Sequence, residues 1–125
     1  MIVGTGIDIT EVERVRQTIE RFGRRFIERV FTEEEIRYCE SKANKAERYA
    51  ARFAAKEAGM KALGAGWRGG LTWRDLEVSN LPSGRPTLRL YGRAAEIAAT
   101  LGVRQISLSI THTASQAMAL VVLET

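Results

Sequence analysis

The spacing of apolar residues switches near the middle of this chain from mainly helical to mainly alternating, and that switch limits the fold more than any other feature. Between Thr10 and Leu63 hydrophobic side chains return at helical intervals, whereas beyond Gly70 they alternate. Residues 2–9 read as a strand of Ile2, Val3, Ile7 and Ile9, with Gly4 and Gly6 permitting close backbone approach. Thr10 and Glu13 have capping-box spacing and predict a helix start, with Val12, Val15 and Ile19 as its stripe and Gly23 as its break. Phe22, Phe26 and Val30 continue at helical spacing. Thr32 and Glu35 form a second box before Ile36 and Cys39. Residues 44–63 predict the longest helix, with Asn44 as N-cap, Glu47 three places on, and Gly64 and Gly66 as its stop. A flexible loop is expected over 65–70. Strands are expected at 76–79 and 87–91 about a turn at 82–85, a helix at 92–101 before Gly102, and a strand pair near 106–111 and 117–123. The order β, several α, ββ, α, ββ predicts an α+β fold.

With 125 residues the chain reads as one domain, 1–125, large enough to hold a core without staples. No apolar run approaches the roughly 20 residues that span a bilayer, and the first residues do not read as a signal peptide. A single cysteine, Cys39, excludes an intrachain disulfide and fits a cytoplasmic setting. The net charge of +4 favours anionic partners. Much of that charge is concentrated near the start, in Arg14, Arg16, Arg21, Arg24, Arg25 and Arg29.

Three segments carry the candidate chemistry. Gly6-Ile7-Asp8-Ile9 puts one acid at the end of an apolar strand. Arg52-Phe53-Ala54-Ala55-Lys56-Glu57-Ala58, with Lys61 and Gly64, puts three cations and a carboxylate on neighbouring helical turns. Ser109-Ile110-Thr111-His112-Thr113 puts the only histidine at the end of another strand. Magnesium takes one or two carboxylates and leaves its other positions to water and phosphate, so Asp8 and Glu57 are a candidate ligand pair. Arg52, Lys56 and Lys61 could neutralise phosphates, arginine in bidentate fashion and lysine as a point charge. The bland readings are a turn residue for Asp8, a surface pair with Lys61 for Glu57, a solvated face for the cations and a structural histidine for His112. No Walker A pattern is present, and one histidine with one cysteine cannot fill a zinc shell.

Taken together, the three segments resemble the holo-acyl-carrier-protein synthase family, the small bacterial class of 4′-phosphopantetheinyl transferases. Phe31-Thr32-Glu33-Glu34-Glu35 and the turn Gly84-Arg85-Pro86 add two further matches, in order and in register over the whole chain. The resemblance implies a single compact domain in which a small, mainly antiparallel sheet packs against a long helix and shorter helices. It implies transfer of the phosphopantetheine arm of coenzyme A to a serine of apo acyl carrier protein, with adenosine 3′,5′-bisphosphate as the other product. It implies that Asp8 and Glu57 hold Mg2+, that Glu57 activates the serine directly or through a water, and that Lys61 assists the leaving phosphate. Arg52, Lys56, Lys61, Gly64, Arg85, Pro86, His112 and Thr113 match positions of the coenzyme site. A homotrimer with sites at subunit interfaces is implied too. Arg14, Arg21 and Arg24 then become candidates for docking the acidic carrier protein. Gly59-Met60 departs from the aromatic and small polar pair of many relatives. A glycine there costs the helix roughly 1 kcal/mol against alanine, which points to a relieved packing conflict or to space near the nucleotide.

Two other readings use the same residues. One is a basic RNA-binding module, against which stands the absence of an aromatic-studded strand for stacking bases. The other is a metal-dependent nucleotide hydrolase with water as nucleophile.

Overall fold

The computed structural model describes residues 1–64 and 69–125. The elements run β1 (Ile2–Glu11), α1 (Val12–Phe22), α2 (Arg24–Val30), α3 (Glu33–Glu40), α4 (Lys45–Leu63), β2 (Leu76–Asn80), β3 (Pro86–Leu90), α5 (Gly92–Leu101), β4 (Gln105–His112) and β5 (Gln116–Glu124). A 3-10 turn, Trp73–Asp75, precedes β2. The fold is α+β, with two antiparallel sheets among the described residues: a three-stranded sheet in the order β1-β5-β4 and the hairpin β2-β3.

Helix α4 lies across the three-stranded sheet, and the contact between them is unusually close. A Cβ placed on Gly6 would stand 1.9 Å from the Ala58 carbonyl oxygen, and one on Gly4 would stand 2.2 Å from that of Ala62. Backbone therefore rests on backbone, which only glycine permits. Ala50, Ala54, Ala55 and Ala58 are fully buried along the helix. Gly59 does the same job on another side of α4. A Cβ there would meet Leu76 Cδ2 at 2.7 Å and Leu88 Cδ2 at 2.9 Å, so this glycine seats the β2-β3 hairpin. Between the two explanations the sequence left open, the packing conflict is the one the structure shows.

The helix ends follow the sequence in part. Thr32 and Glu35 form both bonds of their capping box. Gly64 and Gly102 close α4 and α5 in the left-handed region, at φ 73° and 78°. Thr10 does not cap α1. Strand β1 keeps its pairing with β5 as far as Glu11 opposite Gln116, and the Val12 amide donates to the Ser115 carbonyl at 2.9 Å. Long-range pairing thus outweighs the local cap, and α1 starts at Val12 without a side-chain cap. Asn44 stands before α4 but does not cap it, because its Oδ1 accepts from Arg48 Nε at 3.2 Å. Gly66, with residues 65–68 of the loop expected over 65–70, lies outside the described residues.

One face of the three-stranded sheet is left open. Ile7, Ile9, Met118 and Leu120 are each at least 39% exposed on strands paired Ile7 with Leu120 and Ile9 with Met118. Side chains two residues apart share a face of a strand. Asp8 and Thr10 therefore share the opposite face, toward α4.

Candidate active site

Strand β1 delivers Asp8 to a cleft between β1, α1, α2 and α4. The cleft has a volume of about 350 Å³ and is lined by Asp8, Thr10, Arg14, Phe26, Phe53 and Glu57, among others. Glu57 and Phe53 are one turn apart on α4, so both face this side of the helix. Phe53 is held from behind by Trp73, ring centroids 4.9 Å apart, and from beside by Phe26 at 6.5 Å. The cleft thus has a carboxylate wall and an aromatic wall, with an arginine at its rim.

Asp8 is held on both oxygens. Thr10 donates its hydroxyl to Oδ2 at 2.8 Å, and Lys61 Nζ lies 3.2 Å from Oδ1. Lys61 also donates to the Ile7 carbonyl at 3.0 Å. Burial, and after it the negative charge of Asp8, raises the Glu57 carboxyl above the usual carboxylate range, with Lys61 opposing. A carboxylate whose charge is disfavoured by a second one beside it makes a natural place for a divalent cation. The hard oxygen donors of the two fit magnesium, which needs no third protein ligand. No cluster of three or more acidic, histidine or cysteine side chains occurs among the described residues.

Arg52 and Lys56 turn away from this cleft. Residues 52 and 61 are nine apart, which at 100° per residue puts them on opposite sides of a helix. Arg52 is buried with its guanidinium carbon 3.8 Å from the Tyr38 ring centroid, and it donates from Nη2 to Asn80 Oδ1 at 2.9 Å. Asn80 in turn donates to the Gly84 carbonyl at 3.0 Å. This links Arg52 to the turn bearing exposed Arg85 and half-buried Pro86. The Arg52 Nε is buried without a hydrogen-bond partner.

Lys56 needs correcting as a surface cation. Its ammonium is fully buried, 2.6 Å from Glu35 Oε1, and the other oxygen of Glu35 accepts the Val78 amide at 2.8 Å. Burial lowers the proton affinity of Lys56 and Glu35 opposes that shift. The pair ties α3, α4 and β2 together, so Lys56 presents no charge to a ligand.

His112 ends β4 against the first turns of α4. Glu47 Oε1 is 3.4 Å from its Nδ1, without hydrogen-bonding alignment. Thr113 shapes the β4-β5 turn, where its Oγ1 accepts from the amides of Ser115 and Gln116. On α1, Arg14 and Arg21 line a smaller groove of about 200 Å³ with Phe22, and Arg14 and Thr18 line both this groove and the cleft. Arg24 is exposed and pairs with Glu28 at 3.1 Å. Gly64 sits exposed at the far end of α4.

The residues brought together are therefore Asp8, Glu57, Lys61 and Arg14. Arg52, Arg85 and Pro86 form a second group, and His112 stands in a third place. Sequence reading missed Thr10 as the partner of Asp8, Phe26 and Phe53 as cleft walls, and Asn80 as the link from Arg52. The hydroxyl two residues after an acid on one strand was the available signal for Thr10.

The chain is similar to known proteins along nearly its whole length. Residues 4–121 match the 4′-phosphopantetheinyl transferase superfamily. The holo-[acyl-carrier-protein] synthase of Solibacter usitatus is 63% identical over 124 residues, covering 99% of each chain. Among solved structures, that of the Neisseria meningitidis holo-[acyl-carrier-protein] synthase superposes with a TM-score of 0.91 at 31% identity over 100% of both chains. The Helicobacter pylori holo-[acyl-carrier-protein] synthase in complex with coenzyme A gives 0.84 at 33% identity, over 96% of this chain and 99% of that one.

Proposed function

Because this chain belongs to the 4′-phosphopantetheinyl transferase superfamily, we propose that it moves the 4′-phosphopantetheine arm of coenzyme A onto a serine of apo acyl carrier protein. The observation that carries the reading is the cleft itself. It sets Asp8 and Glu57 against Phe53, Phe26 and Arg14, in a chain that superposes on a coenzyme A-bound relative.

The serine oxygen forms a bond to the phosphorus next to the pantetheine, and the pyrophosphate P–O bond breaks. Adenosine 3′,5′-bisphosphate leaves. Glu57, whose proton affinity burial and the Asp8 charge raise, takes the serine proton directly or through a water. Lys61, an exposed ammonium on the edge of the cleft, supplies charge to the leaving phosphate. Asp8 and Glu57 would hold magnesium, which supplies charge neutralisation at the pyrophosphate. Arg14 and Arg21, beside the cleft mouth, suit docking of an acidic carrier, and Arg24 extends the same exposed basic surface.

Arg52, Arg85, Pro86, His112 and Thr113 reach the coenzyme from a neighbouring copy. Two features support that: Arg52 and Lys61 project from opposite sides of α4, and the sheet leaves an apolar face uncovered. A homotrimer meets both conditions. A cytoplasmic setting, in support of fatty acid synthesis, suits one fully buried thiol whose pKa burial pushes up to about 12.

The test is the intact mass of apo acyl carrier protein after incubation with this protein, coenzyme A and Mg2+. We expect the carrier to gain one phosphopantetheine, and to lose that gain with chelator, Asp8→Asn or Glu57→Gln. Coenzyme A cleaved without modification of any carrier would overturn the transferase reading in favour of a hydrolase.

A further inference from the structure

We propose that Thr10 is the positioning residue of the metal-binding carboxylate, an inference that rests on the magnesium reading above. The sequence assigns this threonine to a helix cap, yet its hydroxyl donates to Asp8 Oδ2 at 2.8 Å and it lines the same cleft as Asp8 and Glu57. The backbone explains why. Pairing of Glu11 with Gln116 holds residue 10 in strand geometry, so its side chain falls on the same face as that of residue 8. Had α1 begun one residue earlier, with Thr10 as its N-cap, the hydroxyl would have turned to the amide of Glu13.

The two partners of Asp8 are not equivalent. Lys61 reaches Oδ1 at 3.2 Å from an ammonium-bearing side chain that is 54% exposed, so it can be displaced. Thr10 is half-buried, β-branched and stiff at χ1, and it sits on the same strand as its acceptor. A fixed donor on one oxygen orients the carboxylate and leaves the other oxygen toward the cleft. Hydroxyls in this position behind a ligating carboxylate typically contribute 10- to 100-fold in metal affinity.

The experiment titrates the full-length protein with Mn2+, with and without coenzyme A, and follows free Mn2+ by electron paramagnetic resonance. The series is parent, Thr10→Val, Thr10→Ser and Asp8→Asn. We expect Thr10→Val, which keeps shape and strand propensity, to weaken Mn2+ binding about tenfold or more at an unchanged circular dichroism spectrum. Thr10→Ser should restore most of the affinity. Equal losses in the serine and valine variants would show that the hydroxyl is not what matters and overturn the proposal. So would parental affinity in Thr10→Val beside lost binding in Asp8→Asn, a result that leaves the metal site itself standing. Absence of Mn2+ binding by the parent sinks the metal site and the role of Thr10 together.

Discussion

At the residue scale, Glu57 carries a cost that its chemistry explains. Burial and the charge of Asp8 hold its carboxyl above the ordinary carboxylate value. Between the ordinary value and the raised one, the folded protein binds more protons than the unfolded chain, so stability falls as pH rises through that window. Above it the penalty is complete; below about pH 4 it is gone. Glu57→Gln should therefore melt higher than the parent at neutral pH, by roughly a few degrees. That advantage should shrink on acidification, and thermal melts of both proteins from about pH 4 to pH 8 check it. A glutamine variant that melts below the parent at neutral pH would contradict the assignment. This carboxylate was legible in the sequence as one of a pair. Its raised proton affinity was not, because that depends on Asp8, which is 49 places away and arrives only through packing.

At the element scale, the buried Lys56–Glu35 pair is the joint between α3, α4 and the β2-β3 hairpin. Removing one partner leaves a buried charge alone, so Lys56→Met should cost about 3–5 kcal/mol in urea unfolding. Replacing both residues with apolar side chains should recover only part of this. The Val78 amide would then lose its acceptor, a cost of about 1–3 kcal/mol. The elements were readable wherever local signals decide: α4 from its periodicity and terminal Gly64, α3 from its capping box, the hairpin from alternation about a turn. They were misread where distant chain decides. Thr10 carries a genuine local cap signal that pairing with β5, more than a hundred residues on, overrides. Lys56 reads as one of three equivalent cations, and its partner Glu35 is 21 places upstream on another helix.

At the scale of the whole molecule, Arg52 and Lys61 project from opposite sides of α4, and under the proposed trimer a coenzyme that touches both meets two copies of the chain. Asp8→Asn and Arg52→Met should each be inactive alone. Unfolded together and refolded, they should regain up to roughly a quarter of parental activity, the statistical share of interfaces with both residues intact. Activity that stays at zero in the mixture, with both variants folded and assembled, would place each site within one chain. The glycine seam between β1 and α4 has a consequence of its own. With backbone against backbone at Gly4 and Gly6, this side of the cleft has no soft layer that could compress or slide. The opposite side rests on α1 and α2 through side chains, Val15 and Phe26, rather than through backbone contact. If the proposed transfer takes place here, the cleft works as an anvil with a hinged jaw: Asp8 stands on the rigid seam, and the breathing that would admit a bulky carrier falls to the two short arginine-rich helices.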